Sequence, residues 1–105
     1  DEFKSAPVKI VFLHIPPFSR GGVWHGTSEI IRLFMPILND AGIDLMLSGH
    51  LHAHHYLDKG AAGNNFPILI NSNLTRLDAI TDRNGINLKI VNADGEVLHN
   101  YRIDK

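Results

Sequence analysis

The sequence predicts an α/β fold, with parallel strands and one main helix followed by antiparallel hairpins. Two patterns point to it. Short apolar, β-branched runs at Val8–Leu13 and Ile43–Ser48 flank a helical pattern, and strands joined through a helix run parallel in one sheet. From Asp78 onward, short strand-like runs are separated by Asn84-Gly85 and by Asn92-Ala93-Asp94-Gly95, the turn chemistry of hairpins. The chain has 105 residues, 44% hydrophobic and 20% charged, which suits one globular domain rather than two or a disordered segment.

Each element has its own local reason. Residues 1–7 are polar and end at Pro7, as a linker or the tail of a preceding helix would. Val8–Leu13 (VKIVFL) is short, largely apolar and β-branched, as in a strand buried on both faces. It stops at His14-Ile15-Pro16-Pro17, because proline donates no ladder hydrogen bond. Residues 18–27 form a glycine-rich loop. A helix is expected from about Ser28 to Ala41, capped by Thr27 or Ser28, with Glu29 at the positive end of its dipole. Pro36 should kink that helix or split it in two, and Gly42 suits the position just past its end. Ile43–Ser48 is the second strand and ends in a histidine-rich loop from Gly49 to Tyr56. Residues 58–65 are a turn, and Phe66–Asn71 is a third strand. Asp78–Arg83 and Ile86–Val91 should pair through a type I′ turn at Asn84-Gly85, and Val97–Ile103 should follow as a further strand.

Composition narrows the function. Ten Lys and Arg against eleven Asp and Glu leave no basic footprint for nucleic acid. No apolar run approaches the roughly 20 residues of a membrane helix. The absence of cysteine excludes disulfides, cysteine-ligated zinc and thiol catalysis, and leaves the cellular compartment open. Seven histidines are the unusual count, four of them at His50, His52, His54 and His55.

Parallel strands place their carboxyl ends side by side, where open α/β sheets bind ligands. His14 and the Gly49–His52 loop, far apart in sequence, therefore become candidates for one site. Imidazole is the commonest metal ligand near neutral pH. Two histidines one residue apart on a loop can reach one metal from two sides or two different metals, and three histidines could also form a mononuclear zinc site.

Lys9–Pro17 (KIVFLHIPP) followed by Gly42–His52 (GIDLMLSGHLH) resembles the C-terminal half of the calcineurin-like metallophosphoesterase family. The resemblance runs from about Val8 to the end of the chain. It implies a fold that is the C-terminal half of a metallophosphoesterase sandwich. It further implies that His14 and His50 ligate one metal ion and His52 the other. Two divalent ions (Mn, Fe or Zn) would then serve the hydrolysis of a phosphate-ester substrate by metal-activated water. Trp24-His25-Gly26 is similar in position to a loop of the related purple acid phosphatases, which implies substrate or leaving-group contact for His25.

The family's Asp-x-His, bridging aspartate and Asn-His motifs have no counterpart here. Residues 1–105 are thus expected to be a single C-terminal fragment that is inactive alone and need not bind metal by itself. Its partner would be the missing N-terminal half of the domain, with a homodimer through the exposed sheet as a further expectation. The alternative is a non-catalytic, degenerate phosphoesterase half that acts as an interaction or metal-binding module.

The other polar residues have plainer readings. His54 and His55 are expected to be solvated loop residues, and His99 to face solvent from a strand. Asn71 and Asn73 suit turn formation. Asp82-Arg83-Asn84-Gly85 lacks the spacing and closing glutamate of a calcium loop.

Overall fold

The computed structural model describes residues 2–14, 30–49, 52–61 and 63–104. A short helix α1 (Glu2–Ser5) leads into β1 (Ile10–Leu13). A π-helical turn (Ile30–Phe34) runs into α2 (Met35–Asp40), and the chain continues as β2 (Leu45–Ser48), β3 (His55–Leu57) and β4 (Ile68–Ile70). Three longer strands close it: β5 (Arg76–Asp82), β6 (Gly85–Val91) and β7 (Val97–Asp104).

The strands make two sheets. The first has the order β1-β2-β4-β3, the second β5-β6-β7. β1 and β4 both run parallel to β2, whereas β3 is antiparallel to β4. The second sheet is antiparallel throughout.

Alternation along the strands builds two cores. Met46, Ile68 and Ile70 point to the helical side and pack with Met35, Ile43, Leu57 and Phe66. Leu45, Leu47 and Leu69 point the other way and meet Ile86, Leu88 and Ile90 of β6. β2 is therefore covered on both faces, which is why its four residues are all buried and its sequence reads as one apolar run. Full burial of one such leucine or isoleucine contributes roughly 1.5–3 kcal/mol. The outcome is three layers: helix, mixed sheet, antiparallel sheet.

The helix expected over Ser28–Ala41 is divided in its described part, as Pro36 predicts. Pro36 lies in the first turn of α2, where a missing N–H costs no intrahelical bond, and a π turn precedes it. Gly42 follows the helix at φ +71°, as expected of a glycine just past a helix end. One local expectation needs correction: the β5–β6 turn is not type I′. Asp82 pairs with Gly85, so Arg83 and Asn84 are the turn residues. A type I′ turn needs positive φ at both, and neither has it. The Asp82 carboxylate instead accepts the N–H groups of Asn84 (2.7 Å) and Gly85 (3.0 Å), which answers the calcium-loop question with a turn.

Asp44 aligns the first parallel pair. Its carboxylate accepts the Lys9 N–H at 2.8 Å, and its own N–H donates to the Lys9 carbonyl at 2.8 Å. The register then runs from Ile10↔Leu45 to Leu13↔Ser48. Asn64 is fully buried and staples the 58–65 turn, donating to the carbonyls of Asp58 and Phe66. Among the described residues no helix is long and apolar enough to cross a membrane.

Candidate functional site

The register set by Asp44 delivers three strand ends to one edge. The Gly49 N–H donates to the His14 carbonyl at 3.1 Å, and the Asn71 N–H to the Ser48 carbonyl at 2.9 Å. His14, Gly49 and Asn71 thus stand in a row just beyond β1, β2 and β4. His14 is exposed. Its Nδ1 lies 3.7 Å from where a Cβ on Gly49 would stand, so the imidazole sits over the residue that opens the histidine-rich loop. An open depression of about 360 Å3 occupies this edge, walled by Phe12, Leu77 and neighbours, with His14 and Asn71 on its rim. Phe12 is 75% exposed there.

Strand order places the loop. β4 lies between β2 and β3, so Gly49 and His55 flank the carboxyl end of β4, two inter-strand spacings or roughly 10 Å apart. His52 is exposed, with φ +55°. A left-handed backbone at a residue other than glycine costs about 1 kcal/mol, and such residues concentrate at functional sites. His50 and His25 lie outside the described residues.

Three outcomes at this edge differ in kind. Asn71 serves its turn as expected: its amide oxygen accepts from the Thr75 hydroxyl at 2.8 Å and its amide nitrogen donates to the Thr75 carbonyl at 3.0 Å. His54 and His55 are not solvated loop residues. His55 opens β3 opposite Ile70, while His54 is half-buried and stacked on His99 with ring centroids 4.1 Å apart. Tyr56 and Tyr101 stack likewise at 4.2 Å. A 2.7 Å hydrogen bond joins the Tyr101 hydroxyl to His54 Nε2. His99 is exposed as expected, yet one face of its ring is taken by His54. Burial lowers the His54 pKa, and the nearby His99 and His55 lower it further.

Sequence reasoning missed this four-ring cluster. Its signal was present, since His54-x-Tyr56 and His99-x-Tyr101 repeat one pattern whose spacing puts both rings on one face of a strand. Ser48 was missed as well. It is buried at the foot of the loop, and its hydroxyl finds no hydrogen-bond partner among the described residues.

The calcineurin-like phosphoesterase family model matches residues 1–54, which carry both His14 and the Gly49–His52 loop. The chain belongs to the calcineurin-like phosphoesterase family. Among solved structures, it is similar to GAP50, described as the anchor in the inner membrane complex of Plasmodium, with a TM-score of 0.77 and 22% identity. That alignment covers 98% of this chain and 38% of the neighbour, so the chain spans well under half of its length. At this identity the likeness establishes the fold. No curated protein matches the sequence.

Calcineurin-like phosphoesterases generally work through two metal ions, which tests the donor set. At this edge the chain offers imidazoles: His14 and His52, with His50 between them in sequence. Neutral imidazole suits Fe and Zn, while Mn is better served by carboxylate oxygens. Among the described residues no group of three His, Cys, Asp or Glu side chains comes close enough to hold one ion. The donors fit part of such a centre and not the whole.

Proposed function

We propose that the chain is the C-terminal part of a dinuclear-metal phosphoesterase. His14, His50 and His52 would supply imidazole ligands, and His25 a contact to the substrate or leaving group. The observation that carries this reading is the backbone pairing of His14 with Gly49 at the carboxyl edge of the parallel sheet. When bound, two divalent ions polarise a phosphate ester and stabilise the charge that develops at phosphorus. In this reading His14 would present its imidazole from the end of β1 and His52 from the loop between β2 and β3. The missing carboxylate ligands would come from sequence outside these 105 residues, and the exposed edge at β1 with Phe12 is where that remainder would pack.

The test has two arms. Calorimetric titration of the chain with Zn2+ and Mn2+ is set beside a His14→Ala, His52→Ala variant. Binding by the wild type that the variant loses supports the ligand assignment. In the longer protein, His50→Ala should cut hydrolysis of a nitrophenyl phosphate at least about 100-fold, the scale expected when a metal ligand is lost. Wild-type turnover in that variant overturns the reading. A second reading, a phosphoesterase-like interaction module without catalysis, is favoured by the structural neighbour being described as an anchor. A longer protein that lacks acidic ligands and hydrolysis would select it.

A further inference from the structure

The loop that carries His52 is fixed at both ends by contacts of different kinds. At its start, the Gly49 N–H is bound to the His14 carbonyl at 3.1 Å. At its end, the His54 side chain is held by the second sheet. The Tyr101 hydroxyl bonds His54 Nε2 at 2.7 Å, and His99 stacks on the same imidazole at 4.1 Å. Tyr101 is itself immobilised by its stack on Tyr56, 4.2 Å away on β3. His52 stands between these anchors in the left-handed backbone conformation, at φ +55°.

That conformation persists only where surrounding structure imposes it. His52 is exposed, so packing of its own side chain cannot be the cause. The two anchors can. They stand at Gly49 and His54, three and two residues from His52.

We infer that Tyr101, with His99, is a positioning residue for the phosphoesterase site: through His54 it holds the loop that presents His52. The inference rests on the ligand reading above. It explains why the antiparallel sheet, which supplies none of the assigned ligands, bears on the site. β7 stands over β3, and its His-x-Tyr face meets the His-x-Tyr face that ends the loop.

The experiment compares wild type with Tyr101→Phe, which keeps the ring stack and removes the hydroxyl. Amide hydrogen exchange is measured without metal at residues 52–54, with β6 amides as the reference, and Zn2+ affinity is then measured by calorimetry on the longer protein with and without the substitution. Exchange at 52–54 should rise about tenfold while β6 is unchanged. Affinity should fall roughly two- to tenfold, the range of one hydrogen bond. His54→Phe removes the same bond from the other side and should reproduce the exchange change. Unchanged exchange at 52–54, or an equal rise across β6, overturns the inference. Raised exchange at 52–54 with unaltered Zn2+ affinity also overturns it. Failure of the longer protein, which would carry the carboxylate ligands, to bind Zn2+ overturns the ligand reading beneath it, and the metal-free exchange data separate that failure from a failure of the tether.

Discussion

Removing the Asp44 carboxylate should weaken the fold at the point where the site is aligned. Asp44→Ala deletes the acceptor that holds the Lys9 N–H at 2.8 Å and leaves the reciprocal Asp44 N–H bond to the Lys9 carbonyl in place. A hydrogen bond to a charged group contributes about 1.5–3 kcal/mol. Both residues are half-buried, so water can reach part of the freed amide, and the expected loss is about 1–2 kcal/mol. Asp44→Asn keeps an acceptor oxygen without the charge and should lose less than about half as much. Urea denaturation followed by circular dichroism reads this directly. With a slope of roughly 1–1.5 kcal/mol per molar urea for a chain of this size, the midpoint should drop by about 1 M in the alanine variant at constant slope. A midpoint shifted by less than about 0.2 M would refute the claim that this carboxylate fixes the β1–β2 pair.

The remaining predictions concern the second sheet. Gly85→Ala should cost about 3 kcal/mol or more, because Gly85 sits at φ +152° and an added Cβ would collide with the Ile103 carbonyl oxygen of β7. The same denaturation measures it, and a loss under about 1 kcal/mol would contradict the close approach. The chain has two tyrosines, and both should ionise above the ordinary 10.0. Burial raises the pKa of each, with Asp58 and then Tyr101 adding to the rise at Tyr56. The fold favours the neutral phenols, so their stabilisation is whole below pH 10.0 and is lost as pH rises through the folded values. Ultraviolet titration of tyrosinate checks this, and ionisation at the unfolded value in folded protein would contradict it.

The parts of the fold legible in the sequence share one physical basis. β2 and β4 are covered on both faces, and their apolar runs stop where coverage stops. β1 is not buried on both faces as its sequence suggests: it is the edge strand of its sheet, and Phe12 is 75% exposed. The strand ends could therefore be read from Val8–Leu13, Ile43–Ser48 and Phe66–Asn71 to within a few residues of the observed Ile10–Leu13, Leu45–Ser48 and Ile68–Ile70. His14 and Gly49 fall at those ends, so their pairing was legible too. β3 was not. Three residues carry no readable periodicity, and His55–Leu57 is a strand because the edge of β4 is there to pair with it. The β5–β6 turn was misplaced by one residue because the Asp82 side chain, rather than Asn-Gly backbone preference, satisfies the turn's N–H groups.

The ring cluster illustrates a different limit. His54 and Tyr56 belong to one sheet and His99 and Tyr101 to the other, and nothing local to either pair announces that they meet. Their pairing depends on β7 lying over β3, a consequence of how the two sheets stack around Leu69 and Leu88. Taken singly, a histidine after a Gly-His-x-His loop reads as a solvated neighbour of that motif. Taken with the second His-x-Tyr, it reads as one half of a contact between strands, because residues two apart share a face and two matching faces can stack ring on ring. The edge strands of a sandwich are where such matches can form, since each has one side without a ladder partner. The same strand that closes the antiparallel sheet thereby reaches the loop at the carboxyl edge of the parallel one.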